Sequence, residues 1–125
     1  MSRETPQETM RELVSAINAH DAETAISLYL PDAVFLPEPG KPARGLTEIR
    51  ACLNELFQLK PHLTIERHAC VEAGDVALYW TAWALRTASP NGSTHQMNGR
   101  GAVILRQSAG RTWAIAIENP WTESL

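Results

Sequence analysis

The chain has 125 residues, with 11 Lys and Arg against 14 Asp and Glu, which gives a net charge of −3. This length suits one core, so we expect residues 1–125 to form a single domain. A hydrophobic fraction of 44% excludes a disordered chain. The mildly acidic balance, without a dense basic stripe, argues against nucleic acid as a partner. No apolar stretch approaches the roughly 20 residues of a membrane span, so no membrane partner is expected either.

Two features of the sequence predict a cytoplasmic protein, and the absence of cofactor motifs predicts that it holds no cofactor. The N-terminal segment is polar and lacks the apolar stretch of a signal peptide, and the chain has two cysteines, Cys52 and Cys70, too few for a disulfide framework. We find no glycine-rich phosphate loop and no nucleophile elbow. His68 and Cys70 share a predicted strand face with His62 and Glu66, but their spacing suits a half-exposed polar face better than a metal site, so no metal is predicted.

Three helices are predicted in the first half of the chain. Thr5 followed by Pro6 and Glu8 is typical of a helix start, and apolar residues then recur at helical spacing as far as Ile17. Asp21 is a second predicted N-cap, for a short helix. A third helix follows Gly45 and ends before Pro61.

The remaining segments predict strands. A short strand covers residues 33–36 and is followed by a proline-rich loop at residues 37–42. Four longer strands then follow with turns between them, of which Asn91-Gly92 is a strong hairpin signal. The predicted order is α-α-β-α-β-β-β-β. It indicates an α+β fold with three N-terminal helices packed on a curved antiparallel sheet.

The second long strand, residues 76–87, is apolar on both faces. Leu78 and Trp80 lie on one face, whereas Tyr79, Trp83 and Leu85 lie on the other. Because a sheet with one face in water should alternate apolar and polar residues, both faces need a cover. The helices cover one face, and we expect a second copy of the chain to cover the other, with Tyr79, Trp83 and Leu85 at the homodimer interface. A C-terminal tail or a long loop is the alternative cover.

The element order and several short segments resemble the nuclear transport factor 2 superfamily, in its SnoaL-like, ketosteroid-isomerase-like branch. These segments are residues 18–21, residues 29–34, Gly45, Trp113 and residues 118–121. The resemblance covers nearly the whole chain, roughly from Thr5 to Trp121. It implies a cone-shaped α+β barrel with a pocket between the helices and the concave sheet, and a dimer formed through the outer sheet face.

The resemblance does not extend to the residues of a ketosteroid isomerase mechanism. The oxyanion-binding tyrosine of that family aligns with Leu13, its general base with Pro37, and its second oxyanion donor with Ala102. None of these side chains can move or donate a proton, so we do not expect that activity. Glu38, one residue from the missing base, is the candidate substitute, and a solvated loop charge is the alternative interpretation.

Arg100 is the second catalytic candidate, because an arginine inside the pocket could bind a carboxylate or enolate with two hydrogen bonds. Pairing with a neighbouring acid near the sheet edge is the alternative. Trp80 and Trp113 are expected to form apolar walls, unless they simply fill the core. The residues predicted to line the pocket are Tyr29, Leu78, Trp80, Asn98, Arg100, Ala102, Trp113, Ile115 and Asn119.

The sequence therefore predicts a homodimeric domain that binds a small apolar or cyclic molecule. One alternative is an isomerase, cyclase or dehydratase acting on a small cyclic carbonyl compound. A non-catalytic docking or assembly domain is the other.

Overall fold

The computed structural model describes residues 3–123. Three helices and six strands follow each other along the chain: α1 (Pro6–Asn18), α2 (Ala22–Ile26), β1 (Tyr29–Glu38), β2 (Lys41–Arg44), α3 (Gly45–Phe57), β3 (His62–Ala73), β4 (Val76–Ala88), β5 (Thr94–Gln107) and β6 (Trp113–Asn119). The predicted α+β class, with three helices on one sheet, is confirmed. In the described part of the chain, no helix combines the length and the apolar character needed to cross a membrane.

Both predicted N-caps are confirmed. The Thr5 hydroxyl oxygen accepts a hydrogen bond from the backbone N–H of Glu8 at 3.1 Å, which satisfies one of the free donors at the start of α1. A carboxylate oxygen of Asp21 accepts from the N–H of Thr24 at 3.1 Å, and α2 begins there. These local signals could be interpreted from sequence because each depends on residues only three positions apart.

The six strands form one sheet in the order β2-β1-β6-β5-β4-β3. The last four strands make the predicted antiparallel meander, but β1 pairs parallel with β6, so the sheet is mixed. The proline-rich segment is also more ordered than predicted, because β2 pairs antiparallel with β1. Gly40, at φ 74°, supplies the left-handed backbone conformation that this tight turn requires.

The core lies between the helices and one face of the sheet, here called the inner face. Trp113 and Ile115 of β6 are fully enclosed in it, together with Leu105 of β5 and Leu13 of α1. The Thr9 hydroxyl donates to the carbonyl oxygen of Trp113 at 2.9 Å, which fixes α1 over β6. This packing leaves the opposite face of the sheet, here called the outer face, without a helix.

The prediction for the two faces of β4 is wrong. Tyr79 and Trp83, placed at a dimer interface by the sequence analysis, are buried on the inner face with exposures of 3% and 6%. Trp80, expected inside, is 42% exposed on the outer face. Leu85 shares the inner face with Trp83, and Leu78 shares the outer face with Trp80.

A glycine in β5 explains which tryptophan turns inward. Gly99 is paired directly with Trp83, and a Cβ atom at that glycine would lie 2.8 Å from the indole ring of Trp83. The missing side chain therefore leaves the space that the Trp83 ring occupies. Because β4 and β5 are paired without interruption, this choice also sends Asn98, Arg100 and Ala102 of β5 to the outer-facing register.

Two β-bulges interrupt the regular alternation of the neighbouring strands. In β6, Ile115 and Ile117 face consecutive residues of β5, so Ala116 is an extra residue. In β3, Glu66 is the extra residue between Ile65 and Arg67. Beyond each bulge the side chains change faces. The single polar face predicted for the first long strand is therefore divided, and His68 stacks on the ring of the inward-facing Tyr79 with centroids 5.4 Å apart.

Candidate functional site

A cavity of about 530 Å³ lies between the helices and the inner face of the sheet. Its buried end is formed by Leu13, Leu53 and Val103, and its mouth by exposed residues such as Met97 and His95. Aliphatic and aromatic side chains form most of the wall. Its polar lining residues are Tyr29, Glu38, Cys52, Thr81, Thr87, His95, Glu118 and Asn119.

Glu118 is the acidic group in the buried part of this cavity. The hydroxyl of Tyr29 donates a hydrogen bond to Oε1 of Glu118. On the sheet, Glu118 is paired with Phe35 of β1 on one side and with Val103 of β5 on the other. The carboxyl group thus has apolar cross-strand neighbours and a single tyrosine that orients it.

Burial dominates the acidity of this pair. Desolvation raises the pKa of Glu118 from its ordinary value of 4.5 to about 7, although the hydrogen bond from Tyr29 acts in the opposite direction. Desolvation, followed by the nearby Glu118 charge, raises the pKa of Tyr29 well above its ordinary value. At neutral pH the Glu118 carboxyl is therefore divided between its protonated and ionised forms, which is the condition that favours proton exchange with a bound molecule.

The bulge in β6 brings Glu118 into the cavity. Regular alternation along β6 places Glu118 on the same face as Ala114 and Ala116, and the sequence analysis did not select it. The extra residue Ala116 reverses this pattern, so Ile117 turns to the outer face and Glu118 turns inward. The signal in the sequence is a lone acidic residue that ends an otherwise apolar strand.

Two tryptophans hold the segment after β6 against the wall of the cavity. The indole N–H of Trp83 donates to the carbonyl oxygen of Pro120 at 2.9 Å, and that of Trp121 donates to the carbonyl oxygen of Leu36 at 2.8 Å. The two indole rings meet edge to face, with centroids 5.5 Å apart. The wall therefore includes the C-terminal segment that the sequence analysis considered only as a cover for the outer face.

The predicted lining residues fall into three groups. Tyr29, Ala102 and Asn119 lie among the residues that line the cavity, although Ala102 belongs to the outer-facing row of β5. Trp113 and Ile115 point inward but are packed in the core at 2% and 0% exposure. The assignment of a third group to the cavity is wrong, because the reversed faces of β4 and β5 put these residues on the outer side of the sheet: Leu78, Trp80, Asn98 and Arg100.

Neither predicted catalytic candidate occupies the buried end. The Arg100 side chain is exposed and does not line the cavity. Glu38 reaches the mouth, where its side chain is 66% exposed and lies 3.6 Å from the ammonium nitrogen of Lys41. The positions that align with the isomerase residues, Leu13, Pro37 and Ala102, all line the cavity. The Tyr29–Glu118 pair therefore supplies polar groups from other positions in the same space.

A second, more open cavity of about 450 Å³ lies between α1 and β3. It has Arg11 on the helix and His68 on the strand, and it shares Met10 and Val14 with the larger cavity. Among residues 3–123 there is no group of three or more His, Cys, Asp or Glu side chains that could hold a metal ion. The larger cavity, which holds the buried carboxyl, is therefore the candidate functional site.

A sequence profile for the SnoaL-like domain matches residues 10–115, which is most of the chain. The chain belongs to the SnoaL-like domain family. A comparison with curated protein sequences found no match. The matched range runs from within α1 to the first part of β6, whereas Glu118 lies three residues beyond its end.

Solved structures with the same fold share about a fifth of their residues with this SnoaL-like chain. A nuclear transport factor 2-like superfamily protein from Salmonella enterica serovar Typhimurium is 19% identical, with 90% of this chain and 84% of that chain covered and a TM-score of 0.81. A ketosteroid isomerase-like protein from Erwinia carotovora atroseptica is 21% identical, with 90% and 88% covered and a TM-score of 0.76.

A third similar structure, from Catenulispora acidiphila, was determined in complex with S-DNPA. It is 20% identical, with 90% of this chain and 86% of that chain covered and a TM-score of 0.75. At these identities the similarities establish the fold of the SnoaL-like chain and no activity. The predicted SnoaL-like resemblance is confirmed by the family match, and the similar structures confirm the predicted nuclear transport factor 2-like fold.

We predict that Glu118 makes the stability of the protein depend on pH. Because the raised pKa of Glu118 lets the folded state hold a proton that the unfolded state releases, the free energy of unfolding falls as the pH rises from 4.5 to about 7. The loss amounts to roughly 3 kcal/mol across this window. In Glu118→Gln this contribution is absent, so the variant gains stability relative to the wild type as the pH rises. Urea denaturation across the window measures the difference.

The matched control for this prediction is Glu38→Gln, which changes an exposed carboxyl at the mouth of the same cavity. Its stability should stay close to that of the wild type, because an exposed ion pair contributes little to folding. Parallel curves for Glu118→Gln and the wild type would show that Glu118 does not titrate in this range.

Proposed function

We propose that this protein binds a small, largely apolar molecule in the 530 Å³ cavity and acts as a homodimer. The observation that carries the binding proposal is the composition of the cavity wall. Apolar side chains surround a few polar groups that are held in fixed positions, which is the usual composition of a small-molecule site. The Tyr29–Glu118 hydrogen bond lies beside Val103 of the buried end, with which Glu118 pairs across the sheet.

The fold family gives independent support for binding. The similar Catenulispora acidiphila structure contains S-DNPA, so this fold accommodates an added molecule in at least one relative. Here the tryptophan contacts around Pro120 and Leu36 hold one wall in place, which reduces the ordering that binding would otherwise require.

We predict that the uncharged dye N-phenyl-1-naphthylamine binds in the cavity with an increase in its fluorescence. Leu56→Trp should weaken this binding roughly tenfold or more, because Leu56 lines the cavity and the larger side chain takes up space that the dye needs. Fluorescence titration measures the dissociation constants, and a thermal melt of each variant checks that it is folded.

Ala109→Trp, in the exposed turn between β5 and β6, is the matched control and should bind the dye as the wild type does. Equal affinity of the two variants would place the dye elsewhere. No binding to the folded wild type would favour the alternative of a non-catalytic docking domain.

The outer face of the sheet supports the homodimer. In one chain, Trp80 and Ile117 are each 42% exposed there, and Val71 is 57% exposed. Val71 and Ile117 end one row across the sheet, in which Val71 pairs with Leu78, Leu78 with Ile104, and Ile104 with Ile117. Trp80 lies beside this row on the same face of β4. A continuous apolar surface of this kind on a folded chain is typical of a protein interface. The interface proposed here is therefore centred on Trp80 rather than on Trp83.

We predict that Trp80→Arg weakens the dimer by roughly thirtyfold or more, since a central tryptophan commonly contributes about 2 kcal/mol to an interface. Sedimentation or light scattering over a range of concentrations measures the change. Leu59→Arg, which adds the same charge near the mouth of the cavity, is the control and should leave dimerisation unchanged. A wild-type chain that is monomeric at high concentration would refute the proposal.

The free thiols of Cys52 and Cys70 are consistent with a reducing compartment, and we place the proposed function in the cytoplasm on this ground. Burial raises the pKa of both thiols. Both are therefore protonated at neutral pH and behave as small apolar groups rather than as nucleophiles.

The Tyr29–Glu118 pair favours a second candidate function, that of an isomerase, cyclase or dehydratase acting on a small cyclic carbonyl compound. The carboxyl whose pKa is raised to about 7 can accept a proton from carbon and return it near neutral pH. Glu118 takes the role of base that the sequence analysis gave to Glu38, because Glu118 is within the cavity wall and Glu38 is exposed at its mouth.

If the second candidate is correct, the protein should accelerate uptake of deuterium from D₂O at the carbon next to the carbonyl of a flat cyclic ketone such as α-tetralone. Proton NMR follows the exchange. Glu118→Gln should slow the catalysed exchange by roughly 10²-fold or more, the usual contribution of a positioned base, whereas Glu38→Gln should retain it. Equal rates for the wild type and Glu118→Gln would exclude Glu118 as the base.

A further inference from the structure

The larger cavity contains acidic side chains but no lysine or arginine. Among the described residues that line it, none is Lys or Arg. Its carboxyl groups are Glu118 in the buried part and Glu38 at the mouth, and the neighbouring Lys41 of Glu38 does not line the cavity. A ligand that carries a negative charge would therefore find no cationic side chain there and would be repelled by Glu118.

One oxygen of Glu118 is available to a ligand. Oε1 accepts the hydrogen bond from Tyr29, whereas Oε2 has no hydrogen bond within residues 3–123. No side-chain nitrogen or oxygen atom of the described residues is both fully buried and without a partner, so Oε2 keeps accessible surface. Because Glu118 lines the cavity, this surface faces the space that a ligand would enter.

We propose that the cavity selects a ligand with an ammonium group on a flat or cyclic apolar body, and that this ammonium donates a hydrogen bond to Oε2 of Glu118. The inference rests on the proposed function, since it names the class of molecule that the same cavity takes. A charge-assisted hydrogen bond in an apolar, partly dry environment is among the stronger polar contacts that a protein makes. The ligand cation also supplies the opposite charge that the buried Glu118 carboxylate otherwise lacks.

The proposal makes binding depend on pH. The ammonium pairs with the ionised carboxyl, so a proton on Glu118, whose pKa is about 7, competes with the ligand below that value. Tyr29 and Cys52, which also line the cavity, have raised pKa values and stay uncharged at neutral pH. Glu38 and His95 lie at the exposed mouth, where water screens their interaction with the buried end.

Three matched molecules test the inference: 2-naphthylmethylamine, 2-naphthalenemethanol and 2-naphthoate. They share an apolar body and differ in being cationic, neutral and anionic at about pH 8. Calorimetry or fluorescence titration measures the three dissociation constants on the full chain. The amine should bind roughly tenfold to hundredfold more tightly than the alcohol, and the carboxylate should bind most weakly.

Glu118→Gln should bring the amine to the affinity of the alcohol and leave the alcohol itself almost unchanged. Glu66→Gln, the control at an exposed carboxyl that does not line the cavity, should keep the preference for the amine. The wild type alone provides a second measurement that needs no variant. Its preference for the amine should fall about tenfold per unit as the pH drops below the pKa of Glu118.

The outcomes separate the inference from the proposed function. Binding of all three molecules without a preference for the amine, or tightest binding of the carboxylate, overturns the inference and leaves small-molecule binding supported. A preference for the amine that survives in Glu118→Gln also overturns it. If none of the three molecules binds, both the inference and the proposed function fail.

Discussion

The extra residue in β6 is the constraint on which the chemistry of the cavity depends. Side chains of a strand alternate strictly between faces, so one additional residue exchanges the faces of everything beyond it. Without Ala116 as that residue, Ile117 would point into the cavity and Glu118 would point to the outer face. The buried part of the cavity would then have no carboxyl group. The bulge thus gives β6 an apolar half that packs in the core and a polar end that serves the cavity.

The fold was predictable because its signals are local. Helix starts at Thr5 and Asp21 depend on contacts three residues away, and the strand boundaries follow turn residues in the chain. The faces of β4 were not predictable by the same means, because Trp80 and Trp83 give both faces the same apolar character. The deciding contact is between strands, where Gly99 leaves room for Trp83. An interpretation that compared the alternating glycines of β5 with its alternating polar residues would have selected the correct face.

The site was less predictable than the fold, since it depends on register. Tyr29 was selected correctly as a residue of the cavity wall, but its partner Glu118 required knowledge of a bulge that no local pattern announces. Arg100 failed for the opposite reason. It follows regular alternation from Ala102, so the error in the faces of β4 carried over to it through the uninterrupted pairing of β4 and β5. The alternation along β5 was therefore predicted correctly but assigned to the wrong face of the sheet. This error misplaced every side chain in that row of β5.

The Tyr29–Glu118 pair is better explained by binding or chemistry than by folding. Burial raises the pKa of the Glu118 carboxyl to about 7 despite the tyrosine hydrogen bond, so the ionised group lowers the free energy of unfolding at neutral pH. A glutamine at this position has an oxygen that can accept the same hydrogen bond from Tyr29 and carries no charge to desolvate. Since glutamine would favour the folded state more, the carboxyl group supports the proposal that this position serves a molecule bound in the cavity.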